Sequence, residues 1–155
     1  MHINGKIVIV GVSLILLYFA IGIIFPTKTY HDSKVGVSFD IPRDWEVKDD
    51  WVRTPDGRMA FSYESGLVSS EHGTLFPATL DQELQETQQV KAELGEPVLS
   101  HGYTSIDGNP AVYTVTSTNY RYYTIKNGKG YYFDFNRNIV DDEVIKKVVE
   151  SIRLD

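Results

Sequence analysis

The chain has 155 residues, with 15 Lys and Arg against 21 Asp and Glu, a formal net charge of −6, and no cysteine. The acidic balance argues against nucleic acid as a partner and against docking flat on an anionic lipid surface. A lipidated N-terminal cysteine is excluded, and the folded part has to hold together by packing alone.

Ile7 to Phe25 carries no charge. As a helix rising about 1.5 Å per residue it would span roughly 28 Å, the thickness of a bilayer's hydrocarbon core. Ala20-Ile21-Gly22 has the small-x-small form of a leader cleavage site, but Ile23-Ile24-Phe25 prolongs the apolar run beyond it. The segment is therefore expected to stay as an uncleaved single-pass anchor. Lys6 on one side and Lys28 and Lys34 on the other leave the positive-charge rule nearly balanced. The very short N-terminal tail then favours a cytoplasmic N-terminus with the rest outside the cell membrane. Without residues 1–26, whose one charge is Lys6, the remaining 129 residues hold 14 basic and 21 acidic side chains, net −7. That length suffices for one domain with its own core.

The short polar stretch 27–34 reads as a spacer, and the domain as 35–155. Val35, Val37, Phe39 and Ile41 alternate as one face of a strand that Pro42 ends. Trp45–Lys48 and Trp51–Arg53 form a hairpin region, and Thr54-Pro55-Asp56-Gly57 turns into a third strand over Arg58–Tyr63. Glu64–Ala78 has no period and reads as a long loop. Thr79 with Gln82 makes a capping box for a helix that runs to about Leu94 and stops at Gly95 before Pro97. Its apolar stripe is thin. Four strands follow over Val98–Ile106, Ala111–Thr118, Tyr120–Lys126 and Tyr131–Asn136, with Asp107-Gly108 and Asn127-Gly128 as turns. A closing helix begins at Asp141-Asp142-Glu143, with Val140, Val144, Ile145, Val148, Val149 and Ile152 as its buried stripe. Ten Tyr and seven Phe suit a sheet-rich fold. The order βββ-α-ββββ-α predicts an α+β domain, an antiparallel sheet sandwiched by helices.

Three stretches carry a resemblance. Ser38-Phe39-Asp40-Ile41-Pro42-Arg43-Asp44-Trp45-Glu46-Val47 is similar to an aromatic-x-Ile-Pro-x-Gly-Trp-x-Val opening, with Asp44 where Gly is usual. Asp tolerates left-handed backbone better than most residues, so the turn is expected to survive. Ile106-Asp107-Gly108-Asn109-Pro110-Ala111 is similar to a Gly-x-Pro-Ala turn, and the helix ending Val148-Val149-Glu150-Ser151-Ile152 supplies the third. On these residues the chain resembles the PsbP-like family, which includes the extrinsic photosystem II subunit and a structurally similar Ran-binding nuclear import factor. The resemblance implies a sheet between helices and a non-enzymatic role, binding or assembling partners beside a membrane. It carries over no site residue.

No phosphate-cradling loop, dinucleotide fingerprint or Gly-x-Ser-x-Gly elbow is present. His72 in Ser69-Ser70-Glu71-His72-Gly73 has no partner at i+2 or i+4 and reads as a solvated loop histidine rather than a metal ligand or base. Asp40, Asp44, Asp49, Asp50 and Asp56 lack the spacing of a calcium loop and read as turn residues. Tyr120 and Tyr122 share one face of their strand, and Tyr132 opposes Tyr131, Phe133 and Phe135. These rings are expected to be core. Left partly exposed, Tyr120, Tyr122 and Tyr132 would offer a platform to a partner or glycan. No catalytic residue, metal or cofactor is assigned. The leading expectation is a membrane-anchored interaction module supporting assembly or stability of a complex with an unknown protein. The alternatives are a small-ligand or polysaccharide-binding domain using the tyrosines and the 64–78 loop, and a hydrolase built around His72.

Overall fold

The computed structural model describes residues 26–71 and 73–155; Ile7–Phe25, read as the anchor, and His72 lie outside them. The elements are β1 (Thr27–Asp32), β2 (Val37–Pro42), β3 (Glu46–Lys48), β4 (Trp51–Arg53), β5 (Met59–Leu67), α1 (Leu80–Glu93), β6 (Ser100–Ile106), β7 (Asn109–Val115), β8 (Asn119–Lys126), β9 (Lys129–Asn136), α2 (Asp142–Ser151) and β10 (Arg153–Leu154). Among the described residues no helix is long and apolar enough to cross a membrane.

The strands form two antiparallel sheets, one of three strands in the order β1-β2-β10 and one of seven in the order β3-β4-β5-β9-β8-β7-β6. Alternation decides which side chains meet between them. Val37, Phe39 and Ile41 of β2 point inward onto Phe61 and Tyr63 of β5 and Phe133 and Phe135 of β9. Phe39 meets Phe61 edge-on at 5.3 Å and Tyr63 at 5.1 Å, and Phe61 stacks on Phe135 at 4.6 Å. Ile145, Val148 and Val149 of α2, which packs on β2, and Ile152 just after it close this core. Of the stripe predicted for that helix, Val140, Ile145, Val148, Val149 and Ile152 are buried and Val144 is partly buried. The opposite face of the large sheet lies under α1, which packs on β7 and β8. Helices therefore stand on both sides of the large sheet, with the small sheet sharing one side.

Four sequence expectations change. Residues 27–34 are not a spacer: 27–32 form β1, which pairs with β2 along its whole length, Thr27 opposite Pro42 through Asp32 opposite Val37. Its residues are mostly exposed and polar, so no apolar alternation marks it. The turn into β2 is fixed by Gly36 at φ +80, whose N–H donates to Asp32 O at 2.8 Å. Second, β5 runs on to Leu67, so the loop begins four residues later than predicted. Third, the hairpin region splits into β3 and β4, and with β1 this puts five strands before α1. Fourth, β10 follows α2 and pairs Arg153 and Leu154 with Ser38 and Val37. The turn at Asp44 keeps its closure, Trp45 N–H to Pro42 O at 3.0 Å, without a positive φ at Asp44. Asp107-Gly108 (φ 50, 74) and Asn127-Gly128 (φ 52, 75) make the predicted hairpins.

Thr79 caps α1, its Oγ1 accepting from Gln82 N–H at 3.1 Å. The Gln82 side chain does not return the bond; its amide donates to Glu71 O at 3.1 Å and ties the loop to the helix.

Candidate functional site

Strand alternation turns Ser62 and Glu64 of β5, Tyr132 and Asp134 of β9, and Arg121 and Tyr123 of β8 away from the main core. Over them lies α1, and the two residues it buries are polar: Glu83, 3% exposed, and Thr87, 6% exposed. A buried carboxylate needs partners for its oxygens. Thr87 Oγ1 donates to Glu83 Oε1 at 2.7 Å, and the Tyr132 hydroxyl donates to Oε2. The Arg121 guanidinium lies 5.2 Å from the Tyr132 ring centroid and donates to Asp134 Oδ2 through Nε (3.0 Å) and Nη2 (2.6 Å). Burial pushes the Glu83 carboxyl above its ordinary range, against the opposing pull of the Tyr132 and Thr87 bonds and of Arg121. Burial, reinforced by the Glu83 charge, raises the Tyr132 hydroxyl far above that of a free tyrosine.

Two cavities meet over this cluster. One of about 210 Å³ runs beneath α1 past Leu75, Val90 and Lys91. The other, about 290 Å³, lies against Asp50, Trp51, Ser62 and Asp134. Glu64, Arg121 and Tyr132 line both, so the two adjoin as a groove over these three side chains. Trp51 is 40% exposed. Beneath the groove Glu83 is bonded to Thr87 and Tyr132 and Arg121 to Asp134, which fixes these side chains, while Glu64 is exposed.

The loop beside the groove is seated by glycines. Gly66 and Gly130 are opposite each other on β5 and β9. A Cβ at Gly66 would lie 2.3 Å from the Phe76 ring, and one at Gly130 would lie 2.3 Å from the Tyr123 hydroxyl. The bare sheet at this pair lets Phe76, Tyr123 and Tyr132 lie flat as a second small core with Val112. The Tyr123 hydroxyl donates to Pro77 O at 2.6 Å and holds the loop down.

The structure separates the tyrosines singled out in the sequence. Tyr120 and Tyr122 are half-buried and stacked, centroids 5.3 Å apart and 9° between planes. Tyr113 joins them at 5.8 and 6.1 Å, and the Arg137 guanidinium lies 5.9 Å from the Tyr120 ring. Tyr132 is buried, on the opposite face, in the groove floor. Position 72 is outside the described residues, but its neighbour Gly73 donates its N–H to Glu86 Oε1 at 3.2 Å. His101 is exposed on β6, its Nδ1 3.2 Å from the Gln88 amide nitrogen. Asp49 and Asp50 hold the β3–β4 turn with φ of 52 and 62, and Asp56 pairs with Arg58 at 2.6 Å. Among the described residues no group of three His, Asp or Glu is placed to hold a metal ion. Sequence reasoning missed Glu83 and Arg121. The available signal was a charged residue inside the helix stripe, three after Leu80 and one before Leu84.

A large antiparallel sheet between two helices, with a small sheet beside one of them, defines an α+β domain of PsbP-like fold. A solved structure it is similar to is the solution structure of cyanobacterial PsbP (CyanoP) from Synechocystis: TM-score 0.58, 18% identity, covering 85% of this chain and 94% of that one. No protein-family model and no curated protein matches the chain. The likeness is one of fold.

Proposed function

We propose that the chain is a membrane-anchored, extracytoplasmic, non-enzymatic interaction module that supports the assembly or stability of a protein complex. The observation that carries this reading is the groove floor. Both Glu83 oxygens are taken by Thr87 and Tyr132, and Arg121 is committed to Asp134. Groups held this way recognise a shape, and neither Glu83 nor Arg121 is left free to act as an acid, base or nucleophile. The exposed Trp51 at its end is the kind of side chain that anchors protein contacts. The PsbP-like fold adds support, because the family resemblance implies partner binding beside a membrane. The chargeless run Ile7–Phe25 supports the anchor, 27–155 being the domain it carries.

The experiment is crosslinking in intact membranes followed by recovery of neighbours, with protease added outside the cell to read orientation. The expected result is a defined protein partner, domain cleavage by external protease, and loss of that partner from Trp51→Asp with the circular dichroism unchanged. Turnover of a substrate by the purified chain, or full recovery of the partner by Trp51→Asp, overturns the reading.

The half-exposed Tyr113–Tyr120–Tyr122 stack favours a second reading, a platform for a sugar ring. Retention on a glycan array that Tyr122→Ala abolishes would support it, and no retention dismisses it.

A further inference from the structure

A sheet edge exposes unpaired N–H and C=O groups, and folded proteins guard such edges with charges, prolines, bulges or short strands. Three of the edges here are guarded. The strand β1 carries exposed Lys28 and His31 with Asp32, and β10 is two residues long with exposed Arg153. At one end of the large sheet, β3 is three residues long with exposed Glu46 and Lys48, and its neighbour β4 has a bulge at Val52/Arg53. The other end is β6, Ser100-His101-Gly102-Tyr103-Thr104-Ser105-Ile106. It has seven residues, no Asp, Glu, Lys, Arg or Pro, and a continuous register against β7 without a bulge. Among the described residues no strand pairs with its outer side.

Its side chains leave the approach open. Gly102 has none, and the Tyr113 ring crosses behind it, within 2.9 to 3.1 Å of where a Cβ would stand. On the other face the Tyr103 hydroxyl is drawn back to Asp81 of α1, and His101 lies by Gln88. Tyr103 and the adjoining Leu99 remain 64% and 65% exposed, apolar surface flanking an unpaired edge.

We infer that β6 pairs with β6 of a second copy of this chain, antiparallel about a two-fold axis, doubling the seven-stranded sheet. The edge is self-complementary, and its neutrality lets a second copy approach along it in spite of the net charge. The domain carries net −7, so two copies repel wherever their acids meet, whereas antiparallel pairing along β6 sets only neutral residues opposite each other. An isologous contact of this kind closes at two copies and leaves no growing edge of the same sequence. The area is that of one strand pair with its flanking Tyr103 and Leu99, below the roughly 1,200 Å² of stable interfaces. The dimer is therefore weak in dilute solution and strengthened where copies are concentrated. This inference stands apart from the proposed groove partner.

The test uses the full chain in mild detergent. Sedimentation from about 1 to about 500 µM is expected to show the protein mass rising from one 17.6 kDa chain toward two. Because the chain has no cysteine, single cysteines introduced at 101 through 105 report the contact cleanly. Disulfide dimers are expected to peak at one position and fall away within two residues of it, while Glu46→Cys on the guarded edge gives none. Thr104→Lys and Ser100→Lys, both exposed, are each expected to keep the thermal midpoint and weaken the dimer by at least about tenfold. A monomer at the highest concentration, a dimer indifferent to both lysines, or equal crosslinking through Glu46→Cys overturns the inference.

Discussion

Glu83 sets the character of α1 because it sits where a leucine would be expected. Its carboxyl is raised above the ordinary 4.5 by burial. A carboxyl raised on folding binds more protons in the native than in the unfolded chain across the interval between the two values, so stability falls as pH rises through it. This contribution is fully present below about 4.5 and lost above the folded value. Glu83→Gln removes the titration and keeps an amide between Tyr132 and Thr87. Chemical denaturation from pH 4 to pH 8 is expected to show wild type losing stability relative to Glu83→Gln as pH rises, the two converging toward pH 4. Gly66 shows the opposite logic, a residue needed for what it lacks. Gly66→Ala drives a methyl into the Phe76 ring and is expected to cost about 1–3 kcal/mol in urea unfolding. In the sequence Glu83 leaves only the trace of a charge inside the helix stripe, where a Glu is ordinarily solvated, and Gly66 leaves none, since a Gly in a polar run reads as loop.

The two helices differ in what holds them. Ile145, Val148 and Val149 bury α2 in the main core, while α1 is held through Glu83, Thr87 and side-chain bonds to the loop and β6. Apolar burial of about 25 cal/mol per Å² favours the first arrangement. Native-state hydrogen exchange is expected to find α1 amides opening at lower free energy than those of α2. This difference was partly legible: the stripe of α2 has the helical period, and that of α1 is thin. Hairpins at Asp107-Gly108 and Asn127-Gly128 were legible because their turns need left-handed residues that few side chains supply. By contrast, β1 and β10 owe their pairing to β2, a partner distant in the chain for β10, and their own residues do not announce it. The tail of β5 was hidden in the same way, its Gly66 being completed by a ring from the loop.

At the scale of the whole molecule, the small sheet joins the two ends of the domain. The first strand, β1, flanks β2 on one side and β10 flanks it on the other. Deleting residues 27–34 from the full chain strips β2 of its six-residue partner. The product is expected to be largely unfolded by circular dichroism and cut rapidly by trypsin; a spacer would be removable without loss. At the end of β10, Leu154 N–H donates to Asp107 Oδ2 at 3.1 Å, and just beyond it Asp155 N–H donates to Gly36 O at 3.1 Å. A ribosome makes β2 early and β10 after every other strand. The domain therefore stays unlatched while its helices and hairpins emerge, and the clasp shuts only when Leu154 reaches β2.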